Sequence, residues 1–207
     1  FYEGDPDPRT TPTDIPVFKF HTALKTMRTS AGCFYAATLA KANILGITGT
    51  EGKTSVAMFT AQALHKLGRA VGMIGTNGIG PLEQLKENTH TTPDFLALYR
   101  SIDQIVHFYP NAPKVHIVLE VTSHALDQAR VFGLSFEVSS FLNLARDHLD
   151  YHKTLDAYCE AKKRLFSDYH SNASVLNISD PVGQELFEEL MLKDDRKLFP
   201  VGEVANS

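Results

Sequence analysis

Asn43-Ile-Leu-Gly-Ile-Thr-Gly-Thr-Glu-Gly-Lys-Thr-Ser55 decides how the rest of the chain is read. It opens as an apolar run, Ile44 to Ile47, that predicts a buried strand. It crosses a glycine-rich turn, Gly49-Thr50-Glu51-Gly52, and enters a helical pattern at Lys53. Strand, turn and helix in that order make a phosphate site. Glycines let backbone N–H groups approach the anion, and the helix adds the positive end of its dipole. Lys53 is expected to neutralise the β- and γ-phosphates of ATP, and the Thr54 hydroxyl to take a place on Mg²⁺. Gly49, Thr50, Gly52 and Ser55 complete the predicted nucleotide loop. The general pattern has glycine where this chain has Ile47. Gly46, Gly49 and Gly52 are three apart, which is not the dinucleotide spacing.

Outward from the loop, strands and helices alternate. The pattern predicts a helix over 53–67 and a strand over 70–74. The loop Gly75 to Gly80 reads as a turn around Asn77-Gly78. Thr91-Thr92-Pro93-Asp94 opens a helix, with Thr92 as N-cap and Pro93 at the first helical position. Val115 to Glu120 is a buried-type strand ending in a carboxylate. After a phosphate loop such an acid is a metal-ligand candidate, and otherwise a solvated strand end. A strand over 136–142 leads into Asn143-Leu-Ala-Arg-Asp-His-Leu-Asp-Tyr-His152. This dense polar run fits the ligand-binding edge of an open sheet, or a loop that caps the next helix. The end of the chain reads as strand 174–178, helix 181–192 and strand 197–201. The fold class is therefore α/β, a mainly parallel sheet with helices on both faces.

The helix over 154–167 poses its own problem. Leu155, Tyr158, Ala161, Leu165 and Phe166 form one apolar stripe at ~100° per residue. Lys162 falls inside that stripe, and Lys163 and Arg164 fall outside it. A lysine facing a core must snorkel, be paired, or lose its charge.

Upstream, residues 1–14 read as a linker and Ile15 to Phe18 as a short strand. A helix is expected over 22–39, with Leu24, Met27, Ala31 and Phe34 inward. The 207 residues suffice for one α/β domain with a short appendage. Apolar content of 43% and charged content of 21% are those of an ordinary globule. A net charge of −4 gives no basic field for nucleic acid. No apolar run is long enough to span a membrane. Cys33 and Cys159 are unpatterned and read as reduced thiols of a cytoplasmic protein. The first residue is Phe1, and the chain is read as a piece of something longer.

The loop with an aliphatic residue at 47 resembles the ATP loop of the Mur ligase family, which usually has Asn where this chain has Glu51. Further strings, in order, strengthen the resemblance. Thr91-Thr92-Pro93 resembles a substrate-touching motif of that family. Glu120-Val-Thr-Ser-His-Ala-Leu-Asp-Gln-Ala-Arg-Val131 and Asn143 to His152 resemble signatures of its UDP-N-acetylmuramoyl-dipeptide ligase branch. Asn177-Ile-Ser-Asp-Pro181 is similar to a family turn. The resemblance covers about 44–181. It implies ATP-dependent amide formation through an acyl phosphate, adding the third amino acid to UDP-N-acetylmuramoyl-dipeptide. It implies Mg²⁺ held by Thr54, Glu120 and His148, with a carbamate formed from CO₂ on Lys162 as a further ligand. It places Asn143 near the nucleotide, and Thr91, Thr92, Thr122, Ser123, Gln128 and Arg130 at the substrate. Lys53, Lys162 and His148 are the expected catalytic set, while His124 reads as structural. Residues 1–40 are then a linker and the tail of a substrate-binding domain, and 41–207 the ATP-binding domain. A further ligase domain, which selects the amino acid, lies beyond this chain. The expected partners are the nucleotide-linked dipeptide and an amino acid, acted on by a monomer. Two rivals remain, a folylpolyglutamate-type ligase and a Mur-like module without catalysis. A GTPase is excluded by the lack of an Asn-Lys-x-Asp string.

Overall fold

A computed structural model describes residues 23–88, 90–193 and 195–202. The expected linker and the short strand at 15–18 lie outside the described residues. Two helices, α1 (Ala23–Phe34) and α2 (Ala36–Lys41), lead into β1 (Ala42–Thr48). The phosphate loop follows, then α3 (Lys53–Lys66), β2 (Val71–Gly75) and β3 (Gly78–Pro81). Next come α4 (Phe95–Phe108), β4 (Val115–Glu120), α5 (Ser123–Asp127) and β5 (Phe136–Phe141). The chain continues through α6 (Leu149–His152), α7 (Leu155–Ser167), β6 (Ser171–Asn177), α8 (Pro181–Lys193) and β7 (Lys197–Val201).

The strands form one sheet in the order β3-β2-β4-β1-β5-β6-β7, parallel except for the β2–β3 hairpin. β1 is central. The chain leaves it toward β2 on one side and later fills β5, β6 and β7 on the other. That reversal opens a crevice at the carboxyl ends of β1, β4 and β5, where ligands bind in open α/β sheets. Ala57 and Ala61 of α3 pack on Ile47, Val71, Met73 and Val118, on one face. The larger core on the other face joins α4 (Leu98, Tyr99, Ile102, Ile105), Leu165 and Phe166 of α7, and Leu186 and Leu190 of α8.

Four local expectations are corrected. The helix predicted over 22–39 breaks at Tyr35, whose ring turns onto Tyr99 of α4 at 5.7 Å between centroids. Phe34, on the opposite side of that break, is left 81% exposed, and Leu24 is exposed as well. The turn after β2 is the tip of a hairpin, because Gly78–Pro81 pairs antiparallel with β2. The N-cap of α4 is Asp94, which accepts from the Ala97 N–H at 3.0 Å. Thr92 is drawn into the core instead. Leu155 is exposed, since it opens α7 before the helix meets the core.

Candidate functional site

The site is assembled by register. Ile47 of β1 lies beside Glu120 of β4, and Thr48 beside Phe141 of β5. The loop that follows Thr48 is therefore flanked by the Glu120 carboxylate and by Asn143. Gly52 takes φ of 78°, a left-handed turn that starts α3 without a Cβ penalty. Lys53, the first residue of α3, folds back over the loop. Its Nζ donates to the Gly49 and Thr50 carbonyls at 2.9 and 2.8 Å. Burial lowers the Lys53 pKa, and Glu120, Asp147 and Glu51 oppose that shift. Ser55 is exposed at the rim.

Glu120 is fully buried. Its Oε2 accepts from the Thr54 hydroxyl at 2.8 Å and its Oε1 from the Thr76 N–H at 2.8 Å. A Cβ at Gly75 would come within 2.2 Å of Oε1, so only glycine lets this carboxylate lie against β2. Carboxylate and hydroxyl in contact at the start of a phosphate-loop helix are a hard-oxygen pair of the kind Mg²⁺ prefers. These residues fit the ion that the sequence leads one to expect.

Lys162 is 1% exposed, which excludes the snorkelling alternative. Its Nζ donates to the Gly49 carbonyl at 2.7 Å and sits 4.5 Å from the centre of the Tyr158 ring. Burial, and then repulsion from Lys53, push its pKa down to about 7, against the pull of Asp147. Lys163, the next residue, is held by Glu185 at 2.9 Å. Burial alone would lower its pKa, but the Glu185 hydrogen bond and neighbouring anions raise it.

Asn143 does something the sequence did not suggest. Its Oδ1 accepts from the N–H groups of Thr50 and Glu51 at 3.1 and 2.9 Å, so two loop donors expected to face phosphate are engaged by the protein. The Thr50 hydroxyl bridges the Ala145 backbone, donating to its carbonyl and accepting from its N–H. The Glu51 side chain is exposed. Asp180 and Asn177 brace residues 142–144 from behind, through the Leu144 N–H and the Leu142 carbonyl.

His148 lies at the open side of the crevice with φ of 51°, its Nε2 3.4 Å from Asp147 Oδ2. Its ring packs on His124 and Tyr158. Among the described residues no three His, Cys, Asp or Glu side chains converge on a metal position. A site using Glu120 and His148 therefore needs oxygen ligands of another kind. The substrate-motif residues separate into two groups. Thr92 and Ser123 are buried, and their hydroxyls are committed internally. Thr92 donates to the Glu120 carbonyl at 2.8 Å, and Ser123 meets His152 Nε2 at 3.0 Å. Thr91, Thr122, Gln128 and Arg130 line the rim. Thr91 meets the Thr76 hydroxyl at 3.0 Å, and Thr122 caps α5 through the Ala125 N–H. Arg130 donates to the Thr92 carbonyl at 2.7 Å and to Gln128 Oε1 at 2.7 and 3.0 Å.

Sequence reasoning missed Thr76, Tyr158 and Asp147. Thr76 follows an ordinary turn signal. Tyr158 reads as one more stripe residue, yet its hydroxyl also donates to Thr50 at 3.2 Å. Asp147 could have been singled out by its place in the 143–152 run.

The sequence and the fold both have known relatives. The sequence matches the family described as the Mur ligase middle domain over residues 47–204. It is 38% identical over 195 residues to the UDP-N-acetylmuramoyl-L-alanyl-D-glutamate–2,6-diaminopimelate ligase of Pseudomonas syringae pv. tomato, covering 94% of this chain and 39% of that protein. A solved structure of a ligase of the same name aligns with TM-score 0.72 and 29% identity, over 86% of this chain and 36% of that one. A folylpolyglutamate synthase structure from Mycobacterium tuberculosis aligns with TM-score 0.57 at 16% identity, over 84% of this chain and 46% of that one, which is a likeness of fold alone. The chain thus spans about two-fifths of the length of the curated relative it matches.

Proposed function

The chain belongs to the Mur ligase middle-domain family, and from that premise we propose that it is the ATP-binding, phosphoryl-transferring domain of a peptide-forming ligase. The ligase would add diaminopimelate, as the third residue, to UDP-N-acetylmuramoyl-L-alanyl-D-glutamate. The observation that carries this reading is the contact between buried Glu120 and Thr54, with the buried amine of Lys162 on the same loop. Residues 41–207 form the nucleotide domain in this reading, and residues 1–40 belong to a linker and the tail of a preceding substrate domain. The protein would work as a monomer in the cytoplasm.

Thr54 and Glu120 would hold Mg²⁺. His148 and a carbamate on Lys162 would serve a second ion. Bound there, the metal supplies positive charge against the oxygens of the transferred phosphoryl group. Lys53 exchanges its two carbonyl partners for phosphate oxygens. Lys162, with its pKa lowered by burial, presents a free amine to CO₂. The neutral amine nitrogen bonds to the carbon of CO₂ and releases one proton, so the buried amine becomes an anionic ligand. Arg130 presents a planar fork that suits a substrate carboxylate. The γ-phosphoryl passes to a carboxylate of the dipeptide, ADP leaves, and the incoming amine displaces phosphate.

The test is ADP release by the full-length protein. Release is expected only when the muramoyl-dipeptide and diaminopimelate are both supplied, and Lys53→Ala should weaken ATP binding about tenfold or more. Release with a folate and glutamate, or none with any substrate, would contradict the proposal.

A further inference from the structure

The geometry points to Tyr151 as a positioning residue that sets Arg130 for a substrate carboxylate, acting through the side-chain amide of Gln128. The inference rests on the substrate role proposed above for Arg130. It starts from a strained turn. Ala129 adopts φ of 51°, a left-handed conformation that is unfavourable for a residue with a Cβ. That turn brings the side chains on either side of it together, so Gln128 Oε1 accepts from both Nε and Nη2 of Arg130. Nη1 donates to the Thr92 carbonyl. A guanidinium has five N–H groups, so two remain for an anion once these three contacts are made.

This arrangement requires the Gln128 amide to point its oxygen at Arg130 and its nitrogen away. The nitrogen has a partner that enforces this choice. Gln128 Nε2 donates to the Tyr151 hydroxyl at 3.2 Å, and that hydroxyl donates onward to Asp127 Oδ2 at 2.8 Å. Because its own proton is committed to a carboxylate, the tyrosine oxygen can only accept from Gln128. The other Asp127 oxygen is held by Arg164 at 3.2 Å, which fixes the carboxylate. The backbone of the turn is clamped separately, since Arg28 of α1 donates to the Gln128 carbonyl at 2.8 Å. Tyr151 thus links a directed chain, Arg130 to Gln128 to Tyr151 to Asp127, in which each donor faces an acceptor. Its ring packs on His124 at 4.2 Å between centroids, a contact that phenylalanine keeps.

The test is Tyr151→Phe in the full-length protein. Calorimetric affinity for the UDP-muramoyl-dipeptide should fall about fivefold, the worth of one hydrogen bond. KM for that substrate should rise to match, with kcat, KM for ATP and melting temperature unchanged. In an Arg130→Ala background the same change should cost nothing more, because the effect passes through Arg130. Equal affinity of wild type and Tyr151→Phe overturns the inference, as does an additive loss in the double variant, or a fall in kcat alone. If the wild type binds no dipeptide, the proposed function fails instead. The crystal structure of Tyr151→Phe then decides this point. Loss of the Gln128–Arg130 contacts supports the link, and their retention overturns it.

Discussion

Both ends of the parallel sheet are polar, yet they treat charge in opposite ways. At the carboxyl ends of the strands, Glu120 and Lys162 are 0% and 1% exposed, and the hydrogen-bond partner of Lys162 is a backbone carbonyl rather than an anion. At the amino ends a cleft is lined by Asn43, Lys114, Glu137, His170 and Asn172. Lys114 there donates to the Ala40 carbonyl, and Asn172 donates to Glu137, in exposed contacts that water also reaches. Concavity is common to both ends. Only one of them bears the cost of burying charge, a cost that folding alone would remove. Desolvated groups, rather than clefts, thus distinguish the end where the proposed site lies. Substitutions should therefore trade stability against activity at the carboxyl ends and change stability alone at the amino ends.

The largest separation is expected between adjacent lysines. In the full-length protein, Lys162→Ala should lower ligation by about a hundredfold or more, the scale of one lost electrostatic contributor. Lys163→Ala should stay within about threefold, because its partners are surface carboxylates. Steady-state ADP release measures both, and equal effects would erase the distinction. Next, Lys162→Met should raise unfolding free energy by about 2 kcal/mol at pH 7, read by urea denaturation, since an apolar chain replaces a desolvated amine. A loss of stability would show that the Gly49 hydrogen bond outweighs desolvation. Smaller again is Thr48→Val. The Thr48 hydroxyl is buried with no hydrogen-bond partner, and removing it should stabilise by about 1 kcal/mol.

The smallest effect belongs to the amino end. Burial, and then Arg69, lower the pKa of His116 on β4, while Glu137 opposes them. The unfolded chain then binds the proton more readily, so stability falls as pH drops through the ordinary histidine value toward the folded one. His116→Gln should flatten that acid-side decline, seen as melting temperature against pH, and leave ligation untouched. An unchanged slope would remove His116 from the account.

Much of this was legible in the sequence. The loop at 49–55, the strand ending at Glu120 and the inward lysine at 162 all follow from local pattern, because strand, turn and helix periodicities are written in adjacent residues. What failed to show depends on contacts across the sheet. Thr92 carries every mark of an N-cap, and only the approach of the Glu120 carbonyl draws it inside and leaves the cap to Asp94. Resemblance places Asn143 near the nucleotide, but its bonds to the loop N–H groups show only once β5 is seen beside β1. Tyr151 becomes more than a motif letter once α6 stands against the turn at Ala129.

The proposed function requires the γ-phosphoryl group of ATP to move to a carboxylate of the dipeptide. The most direct measurement labels that carboxylate with ¹⁸O and follows the label during turnover by the full-length protein with ATP, Mg²⁺ and diaminopimelate. The account predicts that inorganic phosphate leaves carrying one ¹⁸O atom taken from the substrate. Amide formation with unlabelled phosphate would contradict it.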